Sequence, residues 1–108
     1  MAVNFLTGED ILIAVQLTTN GATFVIDSGA TVTAVLRDGI EAISAEVSCT
    51  DQTDWATSLV VVPFTDTETA AITVGTTPIF ATLEVQVDES GDIRKWLATG
   101  IEVTKGVL

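Results

Sequence analysis

Three groups of residues in this chain have types and spacings that could do chemistry. The first is "VDESGDIRKW", Val87–Trp96, where Asp88, Glu89 and Asp92 run into Arg94 and Lys95. Hard oxygen ligands in such a loop are calcium chemistry. The spacing matches no complete EF-hand loop, however, and two adjacent cations compete for the carboxylates. The second is "CTDQTDW", where Asp51 and Asp54 precede Trp55. A carboxylate pair beside an aromatic ring is the equipment of sugar binding or glycoside hydrolysis. The third is Cys49, the only cysteine. Histidine is absent, so neither a serine nor a cysteine nucleophile has its usual base. Lys95 and Lys105 carry no sign of desolvation. No glycine-rich phosphate loop precedes a helix. The expectation is therefore a protein that is not an enzyme and holds no metal or cofactor.

The elements that position these residues read as strands nearly throughout. "ILIAVQLTT" alternates, with Ile11, Ile13, Val15 and Leu17 on one face. Asn20-Gly21 is a turn signal, and Phe24 and Ile26 follow it. Val32, Ala34 and Leu36 point inward from the next run, and Asp38-Gly39 turns the chain. "AISAEVSCT" (Ala42–Thr50) predicts one clean strand, with Ile43, Ala45, Val47 and Cys49 inward; Cys49 then reads as a small core residue. "LVVVPF" (Leu59–Phe64) is apolar on both faces, which predicts a strand covered on both sides or ending at Pro63. Thr65 and Glu68 form a capping-box pattern, so one short helical turn is expected within Thr65–Ile72. The last two runs, Pro78–Glu89 and Ile93–Val103, flank Ser90-Gly91 and read as a long hairpin. The acidic stretch is then a hairpin tip: Gly91 supplies the left-handed backbone, and Asp88 and Asp92 are turn residues.

That hairpin raises the question of Phe80 and Trp96. Phe80 shares a face with Thr82, Glu84 and Gln86. Trp96 is opposite in parity to Ile93, Leu97 and Ile101. Both aromatics are thereby placed on one outward surface, which makes them candidate interface residues. The competing expectation is a β-bulge near Thr99-Gly100 that turns one of them into the core. Trp55 is a further contact candidate; the alternative is that it covers an end of the core.

The chain has 108 residues and a formal charge of −11, four bases against 15 acids. This length predicts one domain, residues 1–108, with residues 1–7 as a flexible N-terminal arm. The charge disfavours nucleic acid and anionic membranes as partners. A single cysteine permits no intrachain disulfide, which fits folding in a reducing cytosol. "MAVNFLTGED" lacks signal-peptide character, and no run of about 18 apolar residues occurs. About seven strands with turns near every 10 residues predict an all-β antiparallel sandwich.

Three segments, in order, carry a resemblance: "GATVTAVLRDG" (Gly29–Gly39), "TDTETAAITVG" (Thr65–Gly75) and "ATLEVQVDESGDIRKWLATGIEVTKGV" (Ala81–Val107). Together they resemble small tailed-phage virion domains, in particular the immunoglobulin-like N-terminal domain of phage baseplate upper proteins. The tyrosine often found after the glycine of the third segment is absent, and Phe80 of "TTPIF" stands in its place. The resemblance implies an immunoglobulin-like β-sandwich and a structural role in a phage particle assembled in the host cytoplasm. Tail or baseplate, head–tail connection and capsid decoration are the positions it allows. The implied partners are other virion proteins and copies of the chain itself in a homo-oligomer or symmetric assembly. The rival expectation, from a different class, is a carbohydrate-binding module that uses Trp55, Asp51 and Asp54 on host surface glycan.

Overall fold

In the computed structural model, residues 3–19 and 21–106 are described, the side chain of Thr23 excepted. The long terminal hairpin organises the fold. β9 (Ile79–Glu89) and β10 (Asp92–Thr104) pair antiparallel, with Ser90 and Gly91 at positive φ between them. β5 (Thr31–Asp38) lies against the other edge of β9 and carries two short strands, β6 (Glu41–Ala42) and β7 (Val47–Ser48). β1 (Val3–Leu6) completes this large sheet, parallel to β10. A small sheet faces it: β2 (Ile11–Gln16) antiparallel to β8 (Leu59–Phe64). β3 (Thr18–Thr19) and β4 (Ala22–Thr23) form a short hairpin of their own. The result is the expected all-β sandwich. Among the described residues ten strands replace about seven, because four of them are only two residues long.

Alternation explains the packing. β9 buries Ala81, Leu83, Val85 and Val87, while Ile13, Val15, Val60, Val62 and Phe64 meet them from the small sheet in one core. Each Val, Leu, Ile and Phe among them contributes roughly 1.5–3 kcal/mol on leaving water. Cys49 joins this core, as expected.

Two expectations fail for local reasons. Residues 42–50 do not form one strand: the Ser44 hydroxyl accepts from the Leu36 N–H (3.0 Å) and donates to the Ala45 carbonyl (3.0 Å). A side chain thus takes the place of a ladder bond, and Ala45 is exposed. The N-terminal arm is likewise no loose segment over the part described. Phe5 is buried, and the Thr7 N–H bonds the Thr104 carbonyl (3.0 Å). Met1 and Ala2 lie outside the described residues.

The short helix α1 (Asp66–Ala70) forms where the capping box predicts it. Thr65 Oγ1 accepts from the Glu68 N–H (3.2 Å), and Glu68 Oε1 accepts from the Thr65 N–H (2.9 Å). The buried Thr69 hydroxyl then fastens the helix to the β1–β2 loop, accepting from the Gly8 N–H and donating to the Glu9 carbonyl. Thr65→Ala is expected to cost about 1 kcal/mol in urea unfolding. An unchanged midpoint would show that the packing of Thr69 alone holds the helix.

Candidate association face

The fold brings together a surface that the sequence parity misassigned. On β10, Ala98 pairs with Leu83 but Ile101 pairs with Ala81, so one extra residue is inserted at Thr99-Gly100. Gly100 has φ +83°, the left-handed backbone a bulge residue needs. The insertion reverses which face each side chain takes. Ile101 and Val103 are buried, as expected, but Ile93 and Leu97 face outward instead of joining them. Trp96 moves the other way, to the core side, and is half-buried. It is therefore not on an outward surface with Phe80.

Trp96 works as a staple between the large sheet and the β3–β4 hairpin. Its indole N–H donates to the Thr18 carbonyl (3.0 Å), and its ring lies 5.0 Å from that of Phe24, tilted by 48°. The Arg94 guanidinium stands 5.1 Å over the same Phe24 ring. Trp55 is 3% exposed and sits in the core cluster, covering one end of the sandwich. It offers no open ring face for a sugar. Asp51 serves its own loop, accepting from the Thr53 N–H (3.1 Å) and hydroxyl (2.6 Å), and the hydroxyl bond leads in holding its carboxyl below the ordinary value. The carbohydrate geometry expected of Asp51, Asp54 and Trp55 thus lacks its aromatic platform.

The hairpin tip is committed in the same way. The Asp88 carboxylate accepts from the Gly91 N–H (2.8 Å), Glu89 accepts from the Asp27 N–H (3.2 Å), and Asp92 lies 3.8 Å from Arg94. Among the described residues, no group of three or more acidic, Cys or His side chains is placed to hold a metal ion. None of the helices described is long and apolar enough to cross a membrane.

The outward side of the large sheet is mixed: exposed apolar side chains stand there among Thr82, Glu84, Gln86, Lys95 and Glu102. Phe80, Leu97 and Ile93 are 70%, 66% and 53% exposed, and Leu6 lies on the same face of β1. Ile40, 92% exposed, projects at the β5–β6 turn. Between them Glu84 is held from two sides: Arg37 Nε donates to one oxygen (3.2 Å), and Lys95 Nζ stands 3.8 Å from the other. Arg37 also donates to the Ile40 carbonyl (3.1 Å), which fixes the turn beside a shallow hollow lined by Arg37, Ile40, Thr82, Glu84 and Leu97. Of the contact residues expected from sequence, only Phe80 is on this face. Leu97, Ile93 and Ile40 were missed; the legible signal was the Thr-Gly pair inside a strand run.

The one thiol is buried in the core. Burial pushes the Cys49 thiol from 9.0 up to about 11. Between about pH 9 and pH 11 the unfolded chain gives up this proton and the folded chain keeps it, so stability falls as pH rises through that window. Unfolding titrations at about pH 8 and 10.5 should show a loss on the order of 1–2 kcal/mol in the wild type that Cys49→Ala lacks. Equal losses in both proteins would contradict it.

No family model, no curated protein and no solved structure matches the chain.

Proposed function

We propose that this chain is a structural subunit of a tailed-bacteriophage virion, acting by self- and partner-association and not by catalysis. The observation that carries the association part is the outward face of the large sheet. Phe80, Leu97 and Ile93 are spaced along its antiparallel ladder, Leu97 paired with the ion-paired Glu84, and Ile40 stands at the adjoining turn. Exposed apolar side chains grouped on one regular surface mark an interface more often than a solvated face. The phage setting is supported by the three-segment resemblance: Gly29–Gly39 is mostly β5, Thr65–Gly75 contains α1, and Ala81–Val107 is the long hairpin.

The chemistry is consistent with such a role. A net charge of −11 keeps free copies apart and soluble before assembly. The same charge argues against nucleic acid or anionic membrane as partner. Buried subunit contacts then add stability by mass action. The subunit is placed in the particle after cytoplasmic assembly, with tail or baseplate preferred over head–tail connection and capsid decoration.

Immunogold electron microscopy on particles purified from the source culture tests this reading. Gold at one defined position on intact particles is the expected result. Unlabelled particles, with the chain confined to the lysate supernatant, would count against it.

A further inference from the structure

We infer that Asp38-Gly39, at the tip of the β5–β6 turn, is a site of spontaneous backbone modification, where the Asp38 carboxyl closes on the Gly39 nitrogen and reopens as isoaspartate. It is the only Asp-Gly pair in the sequence. The chemistry involves the chain and water alone, and it is independent of the virion reading above.

The Gly39 nitrogen attacks Cγ of the protonated Asp38 side chain. The N–H proton and the carboxyl hydroxyl leave as water, and a cyclic succinimide remains. Water then adds to one of its two carbonyls. Opening on one side restores aspartate. Opening on the other leaves the main chain running through Cγ, with the α-carboxylate as the side branch. Net charge is unchanged, and nothing is oxidised or reduced.

Three observations favour this pair. The first is a free electrophile. Among the described residues, the Asp38 carboxylate has no hydrogen-bond or salt-bridge partner, whereas those of Asp10, Asp27, Asp51, Asp66 and Asp88 accept backbone N–H groups and that of Asp92 lies beside Arg94. Asp54 is unbonded too, but the next residue is the buried Trp55, whose N–H is committed to the Gln52 carbonyl (3.2 Å).

The second is an open nucleophile. The Gly39 N–H has no backbone acceptor among the described residues. Gly39 has φ +64°, and nothing stands within 4 Å of where a Cβ would lie. The third is a lightly held frame. Asp38, Gly39 and Ile40 are exposed, and the β5–β6 ladder has only the pairs Arg37–Ala42 and Asp38–Glu41. Opening the last pair, so that the carboxyl swings over the nitrogen, takes little free energy at such an exposed end.

The product differs in length. Isoaspartate adds one carbon to the main chain, about 1.5 Å of contour. A two-residue hairpin loop fixes the register of its strands. The added carbon therefore displaces the Asp38–Glu41 pair and draws the Ile40 carbonyl away from Arg37, which holds it at 3.1 Å. The change lands on the hollow lined by Arg37, Ile40 and Leu97.

Incubation of the folded chain in water enriched in oxygen-18 tests this, with the chain in urea as the clock for the unrestrained reaction. Peptides spanning residue 38 are sequenced by electron-transfer fragmentation, which tells isoaspartate from aspartate. The folded wild type should accumulate isoaspartate at 38 within a few-fold of the rate in urea, and each ring opening should leave one heavy oxygen in that residue. Asp38→Glu keeps the charge but disfavours ring closure, and should gain neither. Asp38→Asn, whose amide loses ammonia more readily than a carboxyl loses water, should convert faster to the same product. In the separated isoform, the amides of Glu41 and Ala42 should exchange faster than in fresh protein. A folded wild type that shows no isoaspartate and no heavy oxygen at 38, while the chain in urea converts, overturns the inference; so does equal labelling of residue 38 in Asp38→Glu.

Discussion

Trp55→Ala is expected to lower the free energy of unfolding by about 3–5 kcal/mol, a large share of what a domain of this size possesses. Trp55 is 3% exposed at the end of the sandwich. Its carbonyl accepts from the N–H groups of Ile26 (3.3 Å) and Ser58 (3.0 Å), so the residue ties two loops together. Truncation leaves a cavity that those loops cannot close without breaking both bonds. Trp55→Phe should cost much less, under about 1.5 kcal/mol. Among the described residues the buried indole Nε1 has no hydrogen-bond partner, so its removal discards an unsatisfied donor instead of a bond. Urea unfolding followed by circular dichroism measures both. If Trp55→Ala unfolds with the wild type but abolishes binding to host glycan, the ring is a sugar platform and its buried placement is wrong.

Trp96→Ala carries the second-largest effect, about 2–4 kcal/mol. It deletes the bond to the Thr18 carbonyl, the tilted contact with Phe24 and the surface on which Phe24 and Arg94 are stacked. The short β3–β4 hairpin should then exchange its amides faster than the rest of the chain, because few other contacts hold it. Trp96→Phe keeps the ring contact and loses the bond, for about 1 kcal/mol. Neither variant should change the assembly state of the folded protein, since Trp96 faces the core side. A Trp96→Ala protein with wild-type stability but weakened association would restore Trp96 as a contact residue.

The contrast between Trp96 and Phe80 marks how far the sequence could be read. Strand alternation placed the inward residues of β2, β5 and β9 correctly, because period two leaves little freedom once one face is buried. Thr65 and Glu68 announced α1, because the capping box is a local bond pair that needs no tertiary context. A bulge does need context. Thr99-Gly100 announced that an irregularity was possible, but not which side of it kept its phase, and that choice decided whether Trp96 or Leu97 faced out. Ser44 is similar: its hydroxyl reaches Leu36 only once β5 and the following loop are already adjacent. The two-sided apolar character of β8 was legible, while the half-burial of Leu59, Val61 and Pro63 on its outward side was not.

The most direct measurement is quantitative mass spectrometry of gradient-purified particles from the source culture, dissolved in denaturant so that no epitope or peptide stays hidden. The chain is predicted to co-purify with the particles at a fixed multiple of one neck, tail or capsid symmetry. Its absence from dissolved particles, with all copies left in the supernatant, would contradict the account.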